Sequence, residues 1–234
     1  MLSIIIPTLN EEERLPRLLD CLKSQKPEDC EIIVSDGQSK DRTVETANRF
    51  GCRTVVNPPK NPARQRNEGA KIARGNLLLF LDADTLLPDH FLENVLKEFE
   101  DRRLDVAGFY FKFHSDKLKY RIASSWWKYN FWMFHFFYPM SIGAAILADK
   151  SFHEKTGGFD ESLYIGEDHF YSKKIKKAGG KYGLIKSDTI IYSTRRFEKE
   201  GFLKVNLKWY IASINYLIFG HRMKKIVKYE FNNR

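Results

Sequence analysis

Leu77-Leu78-Leu79-Phe80-Leu81-Asp82-Ala83-Asp84 is a run of five large apolar residues that ends in two carboxylates one residue apart. Unbroken apolar character over so few positions suits a central strand covered on both faces better than a helix. The carboxylates then stand at the strand's carboxyl end, the edge where open α/β sheets bind ligands. An Asp-x-Asp at that edge is able to hold a hard divalent cation against phosphate oxygens. The plainer alternative makes Asp82 and Asp84 caps of the helix that follows Pro88, yet capping ordinarily uses one such residue next to the helix.

Toward the N-terminus the same rhythm repeats. Leu2-Ser3-Ile4-Ile5-Ile6-Pro7 reads as a strand, Thr8-Leu9-Asn10 as a loop, and residues 11–24 as a helix. Residues 31–36 form a second strand, and Gly37-Gln38-Ser39-Lys40-Asp41 turns the chain into a helix that runs to residue 50. Residues 53–56 read as a short third strand. Pro58-Pro59-Lys60-Asn61-Pro62 then breaks regular structure before a helix over 63–74, with Gly75 as its C-terminal residue. Beyond the opening stretch, residues 88–99 form a further amphipathic helix. Strands alternating with helices predict an α/β fold, a doubly wound and mostly parallel sheet with helices on both faces. Asn10, Asp36, Asp82 and Asp84 each follow the carboxyl end of a strand, so that topology sets them along one edge.

Further toward the C-terminus the pattern changes. Residues 106–113 are strand-like, and residues 118–138 read as a helix apolar nearly all round, with Trp126, Trp127, Phe131, Trp132, Phe134, Phe136 and Phe137. Residues 142–148 read as a strand, Gly157-Gly158-Phe159-Asp160 as a turn, and residues 167–178 as a helix with a lysine-rich outer face. A last strand is expected at 190–193 and an aromatic helix at 202–219, followed by the basic segment 222–228. Residues 1–200 are read as one domain and 201–234 as an aromatic and basic helical extension packed on it.

Composition sets further bounds. At 234 residues the chain is long enough for one well-buried domain. Its 39 Lys and Arg against 30 Asp and Glu leave +9, of which +7 lies in residues 195–234, a balance that favours an anionic partner. Nucleic acid is the less suitable one, because the acidic sheet edge would repel its backbone. Cys21, Cys30 and Cys52 show no metal-binding spacing and read as buried thiols in a reducing compartment. The opening residues lack a basic region and a small-residue cleavage site, which points to the cytoplasm. Residues 129–148 carry no formal charge over a bilayer-crossing length, but Asn130, His135, Pro139, Ser141 and Gly143 interrupt them.

Six segments in order carry a resemblance: 5–13 (Ile-Ile-Pro-Thr-Leu-Asn-Glu-Glu-Glu), 34–43 (Val-Ser-Asp-Gly-Gln-Ser-Lys-Asp-Arg-Thr), 63–70 (Ala-Arg-Gln-Arg-Asn-Glu-Gly-Ala), 80–84 (Phe-Leu-Asp-Ala-Asp), 157–161 (Gly-Gly-Phe-Asp-Glu) and 166–168 (Gly-Glu-Asp). Together they resemble a family 2 glycosyltransferase of the GT-A fold over residues 2–198. The resemblance implies an inverting enzyme that takes a sugar from a nucleotide-diphosphate donor. It implies that Asp84 holds Mg2+ or Mn2+ with help from Asp82, which lies near the ribose, and that Asp36 accepts from the ring N–H of uracil or guanine. It further implies that Arg66 and Asn67 contact the nucleotide, and that Asp168 is the catalytic base beside Glu167. The acids at 167 and 168 equally suit a helix N-terminus. Thr8 and Asn10 fit either the base pocket or a helix cap, Arg64 reads as a solvated neighbour, and His169 reads as structural.

No Gln-x-x-Arg-Trp segment of processive members is present. Ser193-Thr194-Arg195-Arg196-Phe197 instead resembles a Ser-x-Arg-Arg segment whose arginines reach the diphosphate, or else it begins the basic surface. Residues 126–138 and the tail lysines, Lys204, Lys208, Lys224, Lys225 and Lys228, fit a surface lying on anionic lipid near a lipid-linked acceptor. They fit equally a core helix with a solvated tail, or a dimer contact. Two competing classes stay in view: a nucleotidyltransferase, which would want a Gly-rich, Arg-containing loop after the first strand, and an inactive sugar-nucleotide binder.

Overall fold

The computed structural model describes residues 1–25, 29–57, 61–135, 138–163 and 166–219, with side chains described through residue 211. Seven strands lie in one sheet: β1 (Leu2–Thr8), β2 (Cys30–Asp36), β3 (Arg53–Val56), β4 (Leu77–Leu81), β5 (Val106–Phe113), β6 (Ala145–Asp149) and β7 (Tyr182–Tyr192). Their spatial order is β3-β2-β1-β4-β6-β5-β7. The pairs β1/β2, β1/β4, β2/β3 and β5/β7 are parallel, while β6 runs antiparallel to both β4 and β5. The mostly parallel, doubly wound sheet expected from the alternation of elements is thus observed, with β6 as its one reversed strand.

The nine helices of the described residues are α1 (Leu15–Ser24), α2 (Thr43–Arg49), α3 (Pro62–Ile72), α4 (Phe91–Asp101), α5 (Leu118–Phe134), α6 (Lys150–Thr156), α7 (Glu167–Lys177), α8 (Arg195–Glu200) and α9 (Phe202–Phe219). Period-two alternation along the strands feeds two cores. Ile4, Ile6, Leu79 and Leu81 face α1, α4 and α5 through Leu15, Leu19, Phe91, Val95 and Trp127. Ile5, Leu78 and Phe80 face α3 and α7 through Ala63, Ala70, Tyr171 and Ile175. Both sets are buried, which is why β1 and β4 carry apolar residues at successive positions.

Several expected boundaries are corrected. α1 begins at Leu15, with Pro16 in its first turn, because residues 12–14 form a turn after Asn10, whose φ of 55° is left-handed. Gly75 does not close α3: Ala73 ends it in extended conformation, and Gly75 is where the chain crosses β1, since a Cβ there would lie 2.7 Å from the Met1 carbonyl oxygen. α4 starts at Phe91 and α5 stops at Phe134. Ile142 makes only an isolated bridge to Ala145, and the strand proper is β6. The strand expected at 190–193 is the end of β7, which starts at Tyr182.

α5 is also not apolar all round in its surroundings. Tyr120, Ala123, Trp127, Asn130 and Phe131 are buried, while the opposite side is exposed. The first half of α9 packs on this domain: Val205 is buried, and Trp209 packs against Trp127, Phe197 and Tyr192 with centroid separations of 5.9, 5.2 and 5.7 Å. The three cysteines are free thiols. Cys52 is buried, whereas Cys21 and Cys30 are half-buried rather than fully enclosed. Burial pushes the Cys30 and Cys52 thiols up to about 11, so they stay protonated at neutral pH. Pro58, Pro59, Lys60, Phe136, Phe137 and the basic segment 222–228, with Lys224, Lys225 and Lys228, lie outside the described residues.

Candidate active site

At the carboxyl edge of the sheet, β1 and β2 end side by side, with Thr8 in register with Asp36. Thr8 Oγ1 donates to Asp36 Oδ2 at 2.9 Å, and Ser39 donates to the same carboxylate through its N–H (2.7 Å) and its hydroxyl (2.5 Å). Asp36 is fully buried and holds the 37–41 loop against β1. Asn10 completes the join: its N–H donates to Ser39 Oγ and its Oδ1 accepts from the Lys40 N–H, both at 2.8 Å. Neither Thr8 nor Asn10 caps α1, whose N-cap position is Arg14, with no side-chain cap. Two loops separated by about thirty residues thus form one wall.

The adjoining residues Gln65 and Arg66 on α3 link this wall to the rest of the edge. Gln65 Nε2 donates to the Thr8 carbonyl at 2.6 Å and to that of Ser35 at 2.9 Å, bridging β1 and β2 from beneath. Arg66, only 2% exposed, donates from Nη2 to Asp82 Oδ1 at 2.9 Å and from Nη1 to Glu167 Oε1 at 3.0 Å. It also donates to the Gly143 carbonyl at 3.0 Å, an approach that glycine permits because a Cβ there would lie 2.8 Å from Arg66 Nη2. One guanidinium therefore ties the end of β4 to the start of α7. Burial opposes its charge, but Asp82 and Glu167 outweigh that, so Arg66 remains a cation.

Both Arg66 and its neighbour Asn67, expected beside the nucleotide, are engaged within the protein. Arg66 is committed to two carboxylates, and Asn67 is spent on the 159–161 turn. Its Nδ2 donates to the Phe159 carbonyl (3.0 Å) and to Glu161 (2.9 Å), and its Oδ1 accepts from the Phe159 N–H (2.8 Å). Asn67 is 9% exposed. Arg64, read as solvated, is half-buried on the same helix.

α7 presents Glu167 and Asp168 in its first turn, behind Gly166 at a left-handed φ of 77°. Asp168 Oδ1 accepts from the His169 N–H at 2.7 Å. His169 Nδ1 accepts from the Ser141 N–H at 3.0 Å, a structural contact. Burial, then the charge of Asp168, pushes the Glu167 carboxyl up to about 7, with Arg66 holding it back.

Asp84 lines a cleft of about 220 Å³ with Glu13, Arg14, Arg17, Thr85, His114 and Ser193. The cleft is shaped by the loop after β4, where Leu86 exchanges two backbone hydrogen bonds with Ile191 of β7, at 3.1 and 3.0 Å. Arg14 and Arg195 both approach the buried Glu11, Arg14 at 3.3 Å and Arg195 at 3.7 Å, so Arg195 lies near this side. Arg196 instead pairs along its own helix with Glu200 at 3.0 Å. Arg14, Arg17 and His114 were not anticipated from the sequence. They belong to no spaced motif, and only the fold sets α1 and the end of β5 beside Asp84.

A divalent ion takes oxygen ligands, and Mg2+ is commonly held by one or two carboxylates plus substrate phosphates. Asp84 suits that role as a single carboxylate in an open cleft. Asp82 shares its Oδ1 with Arg66 at 2.9 Å. Among the described residues no group of three or more His, Cys, Asp or Glu is set to hold a metal by protein alone.

The topology, a doubly wound sheet with one reversed strand and its acids at the carboxyl edge, defines a GT-A glycosyltransferase fold. The model of "Glycosyl transferase family 2" matches residues 3–154, more than half of the chain, and the chain belongs to that family. An uncharacterized glycosyltransferase of Haemophilus influenzae is 37% identical over 102 residues, covering 43% of this chain and 35% of its own. A PGL/p-HBAD biosynthesis glycosyltransferase of Mycobacterium tuberculosis is 40% identical over 93 residues, covering 37% of this chain and 36% of its own. The chain therefore spans only about a third of the length of these curated relatives. Among solved structures, S. aureus TarS 1-349 with UDP-GlcNAc superposes with a TM-score of 0.65 at 18% identity, covering 82% of this chain and 58% of that one. Mannosyltransferase PcManGT from Pyrobaculum calidifontis, in complex with GDP-Man and Mn2+, gives 0.65 at 20% identity, covering 82% and 56%.

Proposed function

We propose that the chain moves a sugar from a UDP- or GDP-linked donor to an acceptor hydroxyl with inversion at the anomeric carbon. The observation that carries this reading is the Gln65-Arg66 pair, which fastens the β1/β2 wall, Asp82 just after β4 and the first turn of α7 into one edge. Family membership makes the reaction glycosyl transfer, and TarS and PcManGT, with UDP-GlcNAc and GDP-Man, supply the two donor classes to try.

In this reading Thr8, Asn10 and Asp36 form the base wall, and a ring N–H takes the place of the Ser39 hydroxyl at Asp36. Asp168 accepts the proton of the acceptor hydroxyl as its oxygen attacks the anomeric carbon from the face opposite the nucleotide. The pair of electrons in the breaking bond leaves with the diphosphate. Arg14, Arg17 and Arg195 face that leaving group with positive charge. Asp84 would hold Mg2+ or Mn2+, which when bound supplies charge neutralisation to the diphosphate. The acceptor in this reading is lipid-linked or a glycan precursor of the cell surface. A variant of this reading gives the role of base to Glu167, which stands beside Asp168 in the first turn of α7 and whose carboxyl pKa is raised by burial.

Purified protein with Mn2+ is incubated with a panel of UDP- and GDP-sugars, with and without lipid extract, and nucleotide release is followed. Release from at least one donor, faster with the extract, is expected. Absence of both release and binding across the panel would remove the donor assignment.

A further inference from the structure

α5 and α9 lie side by side on the domain: Trp127 Nε1 donates to Asn206 Oδ1 at 3.0 Å, and Tyr120 meets Phe202 edge-on at 5.1 Å. Each helix buries one face and leaves the other bare. On α5 the bare face carries Leu118, Ile122, Trp126, Tyr129 and Trp132, all at least 52% exposed. On α9 it carries Leu203 and Leu207, 80% and 60% exposed, followed by Tyr210 and Ile211. Spacings of three and four residues put each set on one side of its helix. A monomer rarely leaves so many large apolar side chains together in water.

We propose that these two faces form a docking surface for an anionic lipid bilayer, with the helices lying in the plane of the interface. Charge selects this occupant. Neither α5 nor α9 contains Asp or Glu, while Lys119, Arg121 and Lys128 flank the apolar stripe of α5 and Lys204 and Lys208 accompany that of α9. Glu200 on α8 is already engaged by Arg196 and Lys208. The residues that follow α9 continue the trend, with five Lys and Arg and one Glu across 220–234. Trp and Tyr beside Lys and Arg is the composition of an interfacial helix, whose rings sit at headgroup depth while its cations meet lipid phosphates. A second copy of this chain would instead press two acid-free basic faces together. Crossing the bilayer is a different matter: no helix of the described residues is long and apolar enough for it.

The test is sedimentation of the full chain with phosphatidylcholine vesicles, with and without phosphatidylglycerol, over a series of salt concentrations. It uses no donor, so its result is independent of the transferase reading. Binding to the anionic vesicles alone is expected, weakening as salt rises. Trp126→Ser/Trp132→Ser and Leu203→Ser/Leu207→Ser, all at exposed positions, should each lower the partition coefficient about tenfold or more with circular dichroism unchanged. Three results would overturn the proposal: wild-type protein left in the supernatant, sedimentation of both variants equal to that of the wild type, or self-association that the variants abolish in place of vesicle binding.

Discussion

Arg66 is the residue on which the edge of the sheet turns. It is buried with two carboxylate partners from elements far apart in sequence, Asp82 at 2.9 Å and Glu167 at 3.0 Å. Such a pair adds little to stability when complete, because desolvation offsets the attraction, but removing one member strands the others. Arg66→Met should therefore cost about 3–5 kcal/mol, read as a fall in the urea midpoint, whereas Glu167→Gln, which keeps a hydrogen-bonding group opposite Arg66, should cost far less. A loss below about 1 kcal/mol for Arg66→Met would mean that the clamp is not formed in solution. The same residue marks a limit of sequence reading. The Arg-Asn pair at 66 and 67 was legible as important, but the partners of Arg66 within the protein were not, because they lie 16 and 101 positions away.

Elements were legible in proportion to how plainly burial writes itself into a local pattern. β1, β2, β4 and β5 are runs buried on two faces, and their apolar residues make them unmistakable. β7 was visible only at its end, because Lys186-Ser187-Asp188 interrupts it where the pairing with β5 shifts register between Phe109 and Tyr110. α6 and α8 have seven and six residues, too few for a periodicity to repeat. α6 has a consequence at this scale, since it carries His153, packed beside Phe80, Phe159 and Tyr171 with Nδ1 3.0 Å from the Tyr171 hydroxyl. Burial, then the nearby Lys174 and Lys150, lowers its pKa from about 6.5 to about 4. A depressed histidine stabilises the fold in full above the unfolded value and loses that contribution as pH falls toward the folded one. Between pH 6.5 and 4 the wild type should lose about 3 kcal/mol more than His153→Gln, by urea unfolding at each pH. Parallel losses would show that His153 protonates freely in the folded state.

At the scale of the molecule, two surfaces differ in character. Thr8 and Asp36 end β1 and β2 at the carboxyl edge of the sheet, where Arg66 ties Asp82 to Glu167, and the outer faces of α5 and α9 carry bare aromatic rings without a single acid. The order of the strands, which only the topology reveals, makes the first surface. β6 enters antiparallel between β4 and β5, so β7 lies three places from β4 in the sheet, and the loop after β4 reaches it through Leu86 and Ile191. That reach sets Ser193 and His114 beside Asp84. The most direct measurement on the whole account is a paired reading, turnover and donor affinity, on Asp168→Asn with a donor that the wild type hydrolyses or transfers. The account predicts turnover reduced about 100-fold or more with donor dissociation constant unchanged within about twofold, because Asp168 acts on the acceptor proton and not on the nucleotide. Full turnover in Asp168→Asn together with its loss in Glu167→Gln would move the base to Glu167, and full turnover in both variants would contradict the assignment of α7 to the chemistry.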